Sequence, residues 1–97
     1  MLRDDVCRIL RQSQEELRTT YGVRSLRVFG SVARNEAAAG SDVDLLVDFA
    51  QSPGFDGYMD LKFRLEELLG CRVDLVMRKA LKPYAVPTIE REGIRVA

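Results

Sequence analysis

Two predicted strands near the middle of the chain, separated by a Gly-Ser turn, constrain the fold more than any other feature. Residues 24–29 read Arg-Ser-Leu-Arg-Val-Phe and residues 43–49 read Val-Asp-Leu-Leu-Val-Asp-Phe; both patterns favour β-strands. Gly30 and Ser31 follow the first strand. Because glycine tolerates turn conformations and serine is a good N-cap, we predict a turn there and then a short helix over residues 31–38.

Two acidic residues lie at the entrance of the second predicted strand. Side chains alternate across a strand, so Asp42 and Asp44 point to the same face with Cα atoms about 7 Å apart. Two carboxylates this close repel each other, and a divalent cation such as Mg²⁺ or Mn²⁺ between them removes that cost. Taken separately, a Gly-Ser pair is usually a turn and an Asp-x-Asp a solvated strand end. Their order and strand context favour a functional site.

The Gly-Ser turn predicts a binding place for an anion. A helix that begins at Ser31 would aim its first N–H groups, and the positive end of its dipole, at the turn. Gly30 would let a phosphate approach the main chain closely. Arg34 lies one helical turn later, within reach of the same anion. The sequence therefore predicts a phosphate site at these three residues, next to a pair of metal-binding carboxylates.

A third acidic residue interrupts another apolar segment. Asp74 lies inside residues 72–77, which are predicted to form a third strand. A carboxylate in an apolar strand is costly unless it is paired or binds a cation. By itself Asp74 is most simply a salt-bridge partner. On a strand next to Asp42 and Asp44, it would be the third carboxylate of a triad.

The remaining segments complete a small α/β domain. Apolar residues at helical spacing predict long helices over residues 3–20 and 56–69, and a short helix is predicted near 87–92. Residues 94–96 follow as a last strand at the edge of the sheet. We therefore predict a single α/β domain over residues 1–97, with a small mixed β-sheet and helices packed on one side.

Composition argues against several classes of protein. Fifteen basic and fifteen acidic residues give a net charge of zero, so direct nucleic-acid binding is not expected. No apolar run approaches the ~20 residues of a membrane span, and the first residues lack a signal-peptide pattern, which predicts a cytoplasmic protein. There is no histidine, and Cys7 and Cys71 are 64 positions apart in sequence. A zinc site is therefore not expected.

The motif from Phe29 to Arg34, followed by Ser41 to Val47, resembles the signature of the polymerase-beta-type nucleotidyltransferases. The resemblance is to the smallest members of that superfamily, the minimal nucleotidyltransferases or MNT proteins, and it extends over nearly the whole chain. It implies their fold, and it implies that Asp74 is the third acidic residue of the site. MNT proteins are encoded beside HEPN-domain partners in prokaryotic toxin–antitoxin pairs.

The resemblance also implies an activity. Minimal nucleotidyltransferases neutralise the HEPN toxin, a helical ribonuclease, by transferring AMP to a tyrosine near its active site. ATP is then the substrate and Mg²⁺ the cofactor, with two ions held by the three Asp residues. In this mechanism Asp74 also helps to deprotonate the attacking hydroxyl. So short a transferase is expected to take its acceptor from another chain.

Other functions are compatible with the same sequence. The protein could be an antitoxin that inhibits its partner by binding without catalysis. It could also be a transferase for a small molecule or an RNA end, with a separate subunit that binds the acceptor. A small structural α/β domain with fortuitous acidic residues is the remaining alternative, and self-association of the chain stays open.

Overall fold

The computed structural model describes residues 2–38 and 40–97. Helices and strands are interleaved along the chain, and one short 3₁₀ turn, Arg78–Ala80, follows the third strand. The elements are, in order, α1 (Arg3–Gln12), α2 (Gln14–Tyr21), β1 (Val23–Phe29), α3 (Gly30–Ala33), β2 (Val43–Phe49), α4 (Gly54–Leu69), β3 (Val73–Met77), α5 (Val86–Glu92) and β4 (Ile94–Arg95).

The strands form one mixed sheet in the order β3-β2-β1-β4. β1 pairs antiparallel with both β2 and β4, whereas β2 pairs parallel with β3. Antiparallel strands can be joined by a short connection, but a parallel pair needs a long crossover, which α4 provides. The end of β1 and the starts of β2 and β3 therefore meet at one end of the sheet. The predicted mixed sheet and α/β fold are confirmed.

One hydrophobic core fills the space between the sheet and helices α1, α2 and α4, which lie on one side of the sheet. Strand β2 supplies every second residue to it, which is the period expected of a strand with one face buried. Strand β1 keeps this period from Leu26 on, after an irregularity between Val23 and Ser25. Helix α5 contributes no side chain to this core. None of the described helices is both long enough and apolar enough to cross a membrane. The fully buried members include Leu10, Leu17, Leu26, Val28, Leu45, Val47, Leu61 and Leu65.

The first helix differs from the prediction. Residues 3–20 form two helices because the helical geometry is interrupted at Ser13, whose φ and ψ are −99° and 9°. The Ser13 N–H donates to the carbonyl of Leu10 at 3.2 Å, and the Ser13 carbonyl accepts from Leu17 at 3.0 Å. Serine is a weak helix former because its side chain competes for backbone hydrogen bonds. Leu10 and Leu17 are nevertheless both fully buried in the same core.

The helix after β1 is also shorter than predicted. It ends at Ala33 because Asn35 adopts the left-handed conformation with φ 60°. The N–H of Glu36 then donates to the Ser31 carbonyl at 2.8 Å, and the N–H of Asn35 to the Val32 carbonyl at 3.0 Å. This pair of bonds is the Schellman motif, which satisfies carbonyls at a helix end. The predicted extent of 31–38 is therefore wrong at its end.

Truncation of Leu65 to alanine is expected to lower the free energy of unfolding by about 2–5 kcal/mol. Its side chain is fully buried on α4, and the substitution leaves a cavity against the sheet. Phe63→Ala on the same helix is the matched control, because 58% of the Phe63 side chain is exposed; it should cost less than about 1 kcal/mol. Urea unfolding measures both variants, and equal midpoints would contradict this packing of α4.

Candidate active site

The strand register brings two of the predicted acidic residues together. Asp44 of β2 pairs with Asp74 of β3 on one side and with Phe29 of β1 on the other. Paired residues share one face of a sheet, so these three side chains form a row, which we call the acidic row. The neighbours of Asp44 along the strand, Val43 and Leu45, are fully buried in the core. The acidic row therefore lies on the face opposite α1, α2 and α4.

Asp44 carries the perturbed carboxyl of this row. Partial burial raises its pKa above the usual value of 3.8, and the charge of Asp74 and a hydrogen bond between the two carboxyls raise it further. Asp42, exposed just before β2, adds to the rise, whereas the positive charge of Arg34 acts in the opposite direction. The like charges of the row thus favour the protonated form of Asp44.

Gly30 is required at the end of β1 by its contact with Asp44. It has a φ of +72°, and a Cβ at this position would lie 2.1 Å from the Asp44 Oδ2 atom. No side chain fits in that space, so the carboxylate lies directly against the main chain of the turn. The sequence predicted a close approach to Gly30 by a phosphate. The structure shows such an approach by the carboxylate.

Ser31 and Arg34 frame the turn differently from the prediction. The N-cap of α3 is Phe29, in an extended conformation and without a side-chain capping bond, so Ser31 is inside the helix and its predicted N-cap role is wrong. The first N–H groups of any α-helix have no partner within the helix, and in α3 these begin at Gly30. Arg34 is half-exposed, and its Nε lies 3.1 Å from Oε2 of Glu36.

The donor chemistry of the acidic row fits a hard divalent cation. Mg²⁺ takes carboxylate oxygens as ligands. Burial is the first cause of the raised pKa of Asp44, and the negative charges of Asp74 and Asp42, which raise it further, are charges that a cation would offset. Within the described ranges, no three acidic, cysteine or histidine side chains stand close enough to form a ready-made metal site. The metal-ligand set Asp42, Asp44 and Asp74 therefore stays a prediction.

Sequence reasoning missed Phe29 as a neighbour of the site. It pairs with Asp44 and is half-buried beside it. The alternation of β1, with Leu26 and Val28 in the core, is a signal that Phe29 faces the other way. The β1–β2 register that sets it next to the carboxylate is a long-range feature and leaves no local signal.

Comparison with known proteins identifies the class of enzyme. The family model of the nucleotidyltransferase domain matches residues 10–96, a range that contains the Gly-Ser turn and the acidic row. A solved structure named for a minimal nucleotidyltransferase superposes with a TM-score of 0.83 at 40% identity, covering 97% of this chain and 95% of that one. The fold is therefore that of an enzyme that transfers nucleotidyl groups.

Sequence relatives narrow this class. Protein adenylyltransferase MntA of Thermococcus cleftensis is 45% identical over 93 residues, which are 96% of this chain and 94% of that protein. A relative from Methanocaldococcus jannaschii is 43% identical over 89 residues, 91% of each protein. The chain belongs to the minimal nucleotidyltransferase family of protein adenylyltransferases.

A more distant solved structure shares the fold. A tri-AMPylated Shewanella oneidensis HEPN toxin in complex with an MNT antitoxin matches with a TM-score of 0.66 at 17% identity, covering 94% of this chain and 71% of that one. At this identity the likeness concerns the fold alone.

Proposed function

We propose that this protein is a Mg²⁺-dependent adenylyltransferase and an antitoxin, which transfers AMP from ATP to a tyrosine of a HEPN toxin encoded by a neighbouring gene. The observation that carries the proposal is the contact of the Asp44 carboxylate with the Gly30 main chain, at the first turn of α3. It puts an anion-binding backbone and an acidic row within one small site. Enzymes that transfer phosphoryl-containing groups use both features, because backbone N–H groups hold the phosphates and carboxylates hold the metal ions.

The turn after β1 binds the triphosphate in this proposal. The N–H groups of Gly30 and Ser31 donate to oxygens of the β- and γ-phosphates, because backbone N–H groups at a helix start are good anion ligands. Ser31 adds a hydroxyl donor. Arg34, whose charge already acts on Asp44, exchanges its bond to Glu36 for a bond to phosphate.

The three acidic residues bind the cations and accept the proton in this proposal. Asp42, Asp44 and Asp74 would hold Mg²⁺, which when bound offsets negative charge on the phosphates and on the attacking and departing oxygens. Asp74 is exposed at the outer end of the row, where an incoming hydroxyl can reach it. Its carboxylate accepts the hydroxyl proton as the general base.

The reaction is a single displacement at phosphorus. The acceptor oxygen forms a bond to the α-phosphorus of ATP while the bond from that phosphorus to the bridging oxygen breaks. Pyrophosphate leaves with the bonding electrons and the acceptor keeps AMP. The acceptor proton goes to Asp74, so atoms and charges balance.

The proposed partner follows from the relatives. The similar proteins include one named a protein adenylyltransferase, and distant neighbours of the same fold are an antitoxin with a HEPN toxin and a toxin–antitoxin structure with AMP-PNP. A HEPN toxin as acceptor and ATP as donor extend those names to this chain, and tyrosine as the modified residue is what the resemblance to the MNT proteins implies.

Intact-mass spectrometry tests the proposal. The purified protein, ATP, Mg²⁺ and the product of the neighbouring HEPN gene are expected to give a partner whose mass rises in AMP steps. Asp42→Asn should slow this labelling by at least about 100-fold, since it removes a proposed cation ligand. Asp48→Asn is the control, because Asp48 lies on the same strand but pairs with Arg24 at 3.2 Å.

The outcomes separate the competing functions. A stable complex that silences the partner without any mass change would overturn the catalytic proposal in favour of inhibition by binding. Labelling of a small molecule or of an RNA end in place of the HEPN protein would overturn the proposed acceptor and leave nucleotidyl transfer standing.

A further inference from the structure

A second row of side chains lies beside the acidic row on the same face of the sheet. Two residues further along the strands, Arg27 of β1 pairs with Leu46 of β2, and Leu46 pairs with Val76 of β3. Leu46 is only 2% exposed, yet it does not belong to the core between the sheet and α1, α2 and α4. Another part of the chain must therefore cover this face immediately next to Asp44.

The position of Gly93 places the end of α5 beside β1 on this face. A Cβ at Gly93 would be 2.8 Å from the Ile89 carbonyl oxygen, 3.2 Å from the Val28 carbonyl oxygen and 3.5 Å from the Arg27 Cβ. The chain that leaves α5 is thus pressed against β1, on the side to which Arg27 points.

Glu90 joins α5 to the 3₁₀ turn that follows β3. Its Oε1 accepts from Arg78 Nε, just after β3, at 2.5 Å. That bond lowers the pKa of Glu90, and the nearby positive charge of Arg27 on β1 contributes in the same direction. Since the end of α5 lies against β1 and Arg78 follows β3, this ion pair reaches across β2, the strand that carries Leu46 and Asp44.

The geometry of phosphoryl transfer assigns a side of the site to this helix. The attacking and departing oxygens lie roughly in line through the phosphorus. In the proposed function, pyrophosphate departs toward Gly30 and Ser31, beyond the end of β1. The acceptor hydroxyl must then arrive from the opposite direction, over Leu46 and toward Arg27, the residue against which the end of α5 packs.

We propose that α5 forms the acceptor-side wall of the site and that Glu90, through its ion pair with Arg78, is the positioning residue that holds this wall. The inference rests on the proposed nucleotidyl transfer and deepens it. Glu90 touches no reacting atom. It acts by keeping α5 seated, so that the approaching hydroxyl meets a fixed surface one step along the sheet from Asp44.

The test compares Glu90→Gln with Glu92→Gln, an exposed carboxylate on the same helix. Glu90→Gln is expected to raise KM for the HEPN protein about five-fold, the size of a good partly exposed ion pair, while Kd for ATP measured by calorimetry changes by less than about two-fold. Amide hydrogen exchange within residues 86–92 should become about five-fold faster. Glu92→Gln should change none of these.

A double variant adds a check on the bridge itself. Because Arg78 and Glu90 form one pair, Arg78→Gln/Glu90→Gln is expected to behave like the worse of the two single variants, without an additive loss. If the fold-changes of the two single variants multiply in the double variant, the proposed role of the Arg78–Glu90 ion pair is wrong.

The failures of the two proposals are distinguishable. Absence of labelling by the unmodified protein counts against the proposed function, and the exchange comparison still decides whether Glu90 holds α5. Unchanged exchange in Glu90→Gln would overturn the positioning role. If Glu90→Gln raises Kd for ATP and KM for the HEPN protein by the same factor, the assignment of α5 to the acceptor side is wrong.

Discussion

Asp44→Asn is expected to lower the rate of AMP transfer by at least about 1,000-fold, roughly 4 kcal/mol in the barrier, and to raise the melting temperature of the metal-free protein. The loss of rate follows from the proposed role of Asp44 as a cation ligand at the centre of the acidic row. The gain in stability follows from its electrostatics, because asparagine has nearly the same shape and carries no charge.

The sign of the stability effect comes from the pKa of Asp44. Its folded-state pKa is raised above the usual value of 3.8, so the folded protein binds this proton more tightly than the unfolded chain. The associated stability is fully present below the unfolded pKa and is lost as the pH rises through the folded pKa. Ionised Asp44 therefore destabilises the fold at neutral pH, and asparagine removes that penalty.

Thermal unfolding at pH 4 and pH 7.5 measures this effect. Asp44→Asn should raise the melting temperature at pH 7.5 by on the order of 3 °C and by less at pH 4. Mg²⁺ should stabilise the unmodified protein more than the variant, since a ligand stabilises the state that binds it. Asp48→Asn should lower the melting temperature slightly, because Asp48 pairs with Arg24. An Asp44→Asn variant that is active or less stable would refute this account of the site.

Gly30→Ala is expected to reduce transfer by at least about 100-fold and to lower the free energy of unfolding by about 2–4 kcal/mol. Two separate costs act at this position. The φ of +72° disfavours any side chain, and the added Cβ would collide with the Asp44 carboxylate, 2.1 Å away. Relief of the collision moves the carboxylate away from the turn, so the site loses its geometry even where the fold survives.

Gly22→Ala separates these two costs. Gly22 has nearly the same φ, +69°, but a Cβ there would meet nothing within 4 Å. It should cost about 1 kcal/mol for the left-handed backbone and leave transfer unchanged. Urea unfolding and the labelling assay, run on both variants, separate the cost of the backbone conformation from the cost of the collision with Asp44. Equal activities would show that the contact between Gly30 and Asp44 has no functional role.

Local pattern in the sequence determined most of the secondary structure and the family. The strand 43–49 has the predicted bounds, because alternation with period two is a property of the strand alone. The same alternation predicts that Asp42 and Asp44 share one face, and the turn at Gly30 followed from residue chemistry. The break at Ser13 and the early end of α3 at Asn35 were not predicted, since each depends on the backbone conformation of one residue.

Only the tertiary structure decided how these parts meet. The parallel pairing of β2 with β3 sets Asp44 beside Asp74, and no local signal specifies that pairing, because it joins strands that α4 separates along the chain. The same holds for Gly30, whose missing side chain makes room for a carboxylate fourteen positions later. It holds for Glu90, which reaches Arg78 across the sheet. Local residue patterns determine which elements form, whereas contacts between distant residues determine which side chains share a site.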